Sequence, residues 1–253
     1  MLNYKKIGEG QPLIILHGLF GSLDNWMTLA KNWSENFEVY LVDQRNHGQS
    51  LHSEEFSYPL MANDLKGLMD HLNLKSAILL GHSMGGKTVM EFSMRFPEMI
   101  DKLIVVDIAP VSYEVHHYTI IEALKSVPLA DVESRKEAEG YLTKYISDFG
   151  TRQFLLKNLY WEQKNRLGWR FNLEVLANKI VPISEYSIAK GQFNKETLFI
   201  AGSKSDYIVQ DYFSQIKAKF PAYELEVIEG AGHWVHAEKM SEFSKVVLNF
   251  LGY

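Results

Sequence analysis

The chain contains no cysteine, which excludes disulfide staples, thiol nucleophiles and cysteine-ligated metal sites. No apolar run approaches the ~20 residues that a membrane-crossing helix needs, and the opening stretch Met1-Leu2-Asn3-Tyr4-Lys5-Lys6-Ile7-Gly8 lacks the apolar region of a secretory signal. A cytoplasmic location without stable membrane insertion is the expectation. Excess positive charge is missing as well. There are 26 lysines and arginines against 31 aspartates and glutamates, a net charge of −5, so there is no basic footprint for nucleic acid. What is present is 253 residues, 46% hydrophobic, enough to bury one large core in a single globular domain with room for an insertion.

Short aliphatic runs bounded by glycine and proline recur at 12–16, 38–43, 77–80, 103–107, 197–202 and 224–228. They suit strands buried on both faces. Amphipathic stretches at 24–36, 60–72, 88–96, 209–220 and 239–251 alternate with them. Alternation of this kind implies an α/β fold: a mostly parallel sheet covered on both faces, with the chemistry at the carboxyl ends of its strands. The rhythm breaks between core segments 1–110 and 190–253. Residues 111–189 show helical periodicity at 118–125, 134–146 and 154–159 and few strand-like runs, so an all-helical cap over the strand ends is expected. Trp161, Trp169 and Phe171 pack such a cap and, as a group, line an apolar entrance.

The richest stretch is Ile78-Leu79-Leu80-Gly81-His82-Ser83-Met84-Gly85-Gly86-Lys87, an apolar strand entering a glycine-flanked serine and leaving as a helix. This is a GxSxG elbow in its proper context. A serine on so tight a turn crowds its neighbours, and Gly81 and Gly85 remove the side chains that would collide. Ser83 is the candidate nucleophile. A backbone oxyanion site needs N–H donors beside it, for which the His17-Gly18-Leu19-Phe20 loop and the helix start offer Leu19 and Met84. The general base is His233, in Gly230-Ala231-Gly232-His233 between the last strand and last helix.

The other polar candidates have simpler readings. His82 is expected to pack beneath the elbow, and His47 and His52 are expected as exposed loop histidines. Asp43 and Arg45 are expected to fix their loop. His233 and His236 make an HxxH pair, but no HExxH helix or third carboxylate accompanies it, so no metal is expected. Phe20 and Trp161 are the candidate substrate-binding residues.

The order of His-Gly loop, GHSMGG elbow, aspartate at a later strand end and GxGH before the last helix resembles the α/β-hydrolase family over essentially the whole chain. The stretches HGLFGSLDN, VDQRNHG, GHSMGGK, VVDIAP and GAGHWVHAEK further resemble the small bacterial YbfF-type esterases and thioesterases. The resemblance implies hydrolysis of carboxylic esters or acyl-CoA thioesters without a cofactor, under a helical lid. It leaves two carboxylates for orienting His233. Most of the family carry the acid after the strand at 197–202, where Asp206 is available, although the usual spacing of three from Gly202 falls on Ser205. The YbfF-like pattern places it in Asp107-Ile108-Ala109-Pro110. Asp107 is favoured because it ends an apolar strand and is held close to the sheet. The alternative chemistry on such a frame is a carbon-carbon hydrolase or menaquinone-pathway synthase using the same groups as a base. Oligomeric state, physiological substrate and acyl length do not follow from the residues.

Overall fold

The computed structural model describes residues 1–164 and 166–253. In chain order the elements are β1 (Tyr4–Ile7), β2 (Gln11–Leu16), α1 (Met27–Trp33), β3 (Phe37–Val42), α2 (Tyr58–His71), β4 (Ala77–His82), α3 (Met84–Arg95) and β5 (Ile100–Val106). Then follow α4 (Tyr118–Lys125), α5 (Arg135–Leu142), α6 (Phe149–Leu156), β6 (Leu159–Gln163), β7 (Arg166–Trp169) and α7 (Leu173–Ser184). The chain closes with β8 (Thr197–Gly202), α8 (Phe213–Lys219), β9 (Tyr223–Ile228), α9 (Val235–Glu238) and α10 (Met240–Leu251).

Seven strands form one sheet in the order β1-β3-β2-β4-β5-β8-β9. All neighbours pair in parallel except β1, which runs antiparallel to β3 at the edge. Alternation along each strand sorts the two faces. Ile14, Leu16, Leu79, Val105 and Phe199 pack with residues of α2, α3 and α8 on one side. On the other, Leu13, Ile15, Leu80, Ile104 and Ile200 pack with α1 and α10. A helix on each face explains why the strands read as continuous aliphatic runs. No described helix is long and apolar enough to cross a membrane.

The segment between β5 and β8 departs from the all-helical expectation. Besides α4 to α7 it contains the antiparallel hairpin β6–β7, with Leu159 opposite Trp169 and Trp161 opposite Leu167. The helix expected at 154–159 starts earlier and stops sooner. Asp148 caps it by accepting the Thr151 N–H at 2.6 Å, and the chain then turns into the hairpin after Leu156. The segment's apolar residues form a third cluster that takes in Phe20, Tyr58, Met61 and Met84 of the sheet domain. β1 is the other strand absent from the sequence reading, because Tyr-Lys-Lys-Ile on an edge carries little apolar signal.

The elbow glycines do what crowding demands. A Cβ on Gly81 would run into the Gly85 carbonyl, and one on Gly85 into the carbonyls of Leu16 and His17, all backbone atoms that do not yield cheaply. Gly85→Ala is expected to destabilise the fold by about 1–3 kcal/mol. Gly67, inside α2 with open space around its Cα, should behave oppositely, gaining up to about 1 kcal/mol as alanine. Thermal unfolding of the two variants checks the opposed signs.

Candidate active site

Parallel pairing of β4 with β5 places His82 beside Val106, so the next residues, Ser83 and Asp107, leave the sheet together. Their backbone amides continue the ladder: Ser83 N–H donates to Val106 O at 2.9 Å, and Asp107 N–H to Ile200 O at 2.8 Å. Both then adopt left-handed φ, 52° at Ser83 and 51° at Asp107. Such conformations cost about 1–3 kcal/mol each and persist only where the surroundings enforce them. They lift the two side chains off the strand ends toward a common point.

His233 reaches that point from the loop after β9. Its Nε2 lies 3.0 Å from Ser83 Oγ, and its Nδ1 donates to Asp107 Oδ2 at 2.7 Å. The imidazole stacks on Tyr207 with ring centroids 4.2 Å apart, and the His233 carbonyl accepts the His82 Nε2–H at 2.9 Å. His82 thus sits under the elbow, against Trp26 and His236, as a structural donor. Burial, reinforced by His236 and His233, keeps it neutral by moving its pKa well below the ordinary histidine value.

The Asp107 carboxylate is fully buried and fully used. Oδ1 accepts the Gly202 N–H at 3.0 Å, and Oδ2 accepts Ser205 Oγ–H at 2.5 Å in addition to the imidazole. Ser205 occupies the position where family spacing would put the acid, and here it serves the acid on the neighbouring strand. Charge-assisted bonds of this kind fix the carboxylate's orientation. Ser205→Ala is expected to lower kcat/KM for ester turnover roughly three- to tenfold without loss of fold, as steady-state kinetics and circular dichroism will show.

A second group of buried histidines shapes the loop after β2. His17 Nδ1 donates to Gly18 O and its Nε2 accepts Gln44 N–H at 3.1 Å. His47 Nδ1 donates to Arg45 O at 2.9 Å, and its Nε2 accepts Phe20 N–H at 3.2 Å. Both imidazoles accept at one nitrogen, which only the neutral form allows, and burial lowers both pKa values accordingly. His47, expected on the surface, is therefore a buried brace. Phe20 takes a left-handed φ of 58°, and Asn158 Nδ2 from the inserted segment donates to its carbonyl at 2.7 Å. With Phe20 gripped at both peptide ends, the Leu19 N–H is held in place. Among the described residues neither Leu19 N–H nor Met84 N–H has a protein acceptor. Asp43 and Arg45 fix the adjoining loop as expected. Asp43 accepts Leu23 and Gln49 amides, and Arg45 binds Asp64 with two nitrogens, at 2.5 and 2.9 Å.

Two small cavities flank Ser83. The first is walled by Leu19, Met84, Ile108 and Ile183 and also contains Lys87. Lys87 Nζ donates to Tyr186 O at 2.6 Å and stands 5.0 Å from the Tyr113 ring centre. Desolvation pulls its pKa down to about 7. The second cavity is walled by Phe20, Ile120, Phe154, Leu155 and Trp234 and reaches His233.

A sequence description of the α/β hydrolase fold matches residues 11–240. The chain belongs to the α/β-hydrolase family. Esterase YbfF of Escherichia coli is 37% identical over 244 residues, covering 96% of this chain and 94% of that one. The mouse (Mus musculus) sn-1-specific diacylglycerol lipase ABHD11 is 38% identical over 247 residues, with 94% of this chain and 80% of the relative covered. A solved structure described as a marine microorganism esterase superposes with a TM-score of 0.95 at 42% identity, covering 98% of both chains.

Within this α/β-hydrolase frame the structure brings Ser83, His233 and Asp107 into one hydrogen-bonded line, with Leu19 and Met84 beside it. Asp206 is exposed and makes no bond to His233. Phe20 lines the second cavity, though its ring is mainly occupied with Phe171 at 5.3 Å. Trp161 does not join the site. It lies mid-strand in β6, on its exposed part, and is 54% exposed. Among the described residues no group of His, Asp and Glu side chains could hold a metal ion, and His236 is stacked on Trp26 at 4.1 Å.

Proposed function

We propose that this α/β-hydrolase cleaves carboxylic esters through an acyl-serine intermediate on Ser83, with residues 111–189 acting as a cap over the site. The observation that carries the reading is the continuous line from Ser83 Oγ through the His233 imidazole to a buried carboxylate, at 3.0 and 2.7 Å. A serine hydroxyl is a weak nucleophile until a base takes its proton, and this line supplies the base and orients it. As Oγ attacks the acyl carbon, His233 Nε2 accepts the proton and Asp107 stabilises the imidazolium. The tetrahedral oxyanion is held by the Leu19 and Met84 N–H groups, whose lack of protein acceptors fits that role. His233 returns the proton to the departing alkoxide, or thiolate in an acyl-CoA thioester. Water activated by the same imidazole then releases the acid and restores Ser83.

The names of the relatives, an esterase and a diacylglycerol lipase, agree with ester substrates. Both cavities beside Ser83 are small, which favours short to medium acyl chains. The acyl chain suits the cavity of Leu19, Ile108 and Ile183. The leaving group suits the one that reaches His233, since that imidazole must protonate it. Hydrolysis of p-nitrophenyl esters of rising acyl length, with acyl-CoA thioesters alongside, tests the reading. Turnover should be greatest at short to medium chains. Absence of turnover above background for every ester would overturn it.

A further inference from the structure

Buried polar atoms need partners, and one that lacks them costs about 1–3 kcal/mol. Among the described residues five side chains carry such an atom: Trp26, His117, Asn158, Trp169 and His236. Trp26 and His236 stack on each other in the sheet domain, and Trp169 stacks on Phe171 inside the inserted segment. Asn158 is already engaged through its other amide atom. His117 differs from all of them. It stands just before α4 on the cap, its Nδ1 is buried without a partner, and the residue lines both cavities at Ser83.

An ester bound at Ser83 runs from one cavity into the other and so passes this imidazole. On the mechanism proposed above, its own oxygens are already taken. The carbonyl oxygen belongs to the Leu19 and Met84 amides, and the leaving oxygen must face His233 Nε2. A partner for His117 is therefore a further group on the substrate. The other polar side chains in the leaving-group cavity, apart from Ser83 and His233, are Thr151, whose hydroxyl is bound to Asp148 at 2.8 Å, His82, which donates to the His233 carbonyl, and the Trp234 indole, which can donate a hydrogen bond but not accept one. The apolar walls, among them Phe20, Ile120, Phe154 and Leu155, penalise a charged group.

We infer that His117 is a specificity residue that hydrogen-bonds a neutral polar group, a hydroxyl or carbonyl, on the alcohol moiety within a few bonds of the scissile ester. Esters whose alcohol carries a hydroxyl or carbonyl close to the ester oxygen are the substrate class this selects. Burial lowers the His117 pKa to about 4, so near neutral pH the ring presents one donor and one acceptor and matches such a group without adding charge. The inference rests on the ester-hydrolase reading and refines it.

The test is a matched pair, 1-butyrylglycerol and n-propyl butyrate, which share the acyl group and a three-carbon alcohol and differ by two hydroxyls. Wild-type enzyme should prefer the glycerol ester. His117→Phe, which keeps a ring without its nitrogens, should lower kcat/KM for the glycerol ester roughly ten- to a hundredfold while changing the propyl ester less than threefold. His117→Gln should restore much of the preference. If His117→Phe is insoluble, His117→Ala gives the same comparison. Equal losses on both esters, or an unchanged ratio, would overturn the inference while leaving ester hydrolysis intact. No turnover of either ester by the wild type, with no fluorophosphonate labelling, would instead remove the underlying reading.

Discussion

Ser83→Ala should lower kcat for ester hydrolysis by about 10⁵- to 10⁶-fold with little change in KM, because Oγ is the atom that forms the new bond and contributes little to holding the ground state. The effect is expected to be this large because the site has no substitute. In the hydrogen-bonded line His233 Nε2 meets the hydroxyl of Ser83, and that hydroxyl alone stands on the φ 52° turn between the two cavities. His233→Ala should be nearly as damaging, and the double variant scarcely worse than either. The groups act as a unit, and removal of one disables the rest. A single-turnover assay separates loss of chemistry from loss of binding. Residual activity within a hundredfold of wild type in Ser83→Ala would mean that another nucleophile, or water directly, performs the attack.

The second large effect decides between the two carboxylates. Asp107→Asn should cost about 10⁴-fold in kcat, equivalent to about 5.5 kcal/mol. The amide keeps the shape but removes the charge that stabilises the imidazolium, and it can hold the ring in the wrong tautomer. Its neighbours deepen the loss, since the Gly202 N–H donates to one carboxylate oxygen and the Ser205 Oγ–H to the other, and the amide keeps an acceptor oxygen for only one of them. Asp206→Asn, by contrast, alters an exposed side chain with no bond to His233 and should stay within about twofold of wild type. The reverse ranking of the two variants would move the acid to the loop after β8.

The elbow, the strand rhythm and the GxGH loop were legible in the sequence because each is enforced over a few residues by sterics or periodicity. Gly81 and Gly85 are required by atoms within the turn or by strand β2 just beneath it, so their meaning survives without coordinates. The preference for Asp107 followed from its place after an aliphatic strand, although the strand itself ends at Val106 and Asp107 is already in the left-handed turn. The braces were hidden because their partners lie far along the chain. His47 meets Phe20 across 27 residues, and Asn158 meets the same residue across 138. Nothing local marks a histidine as buried when a distant loop covers it. In the sequence Ser205 stands out only as a departure from family spacing, because its service to Asp107 needs two strand ends brought side by side. The hairpin β6–β7 is masked in the sequence because Leu-Tyr-Trp-Glu-Gln continues the apolar spacing of the helix before it, and the expected place of Trp161 at the site goes with it.

The most direct test is to trap the covalent intermediate: the enzyme is mixed with excess p-nitrophenyl butyrate, quenched in acid within milliseconds and digested for mass spectrometry. A butyryl adduct on the peptide carrying Ser83, lost in His233→Ala, is the predicted result. An adduct on any other residue, or one that forms at the wild-type rate without His233, would contradict the account.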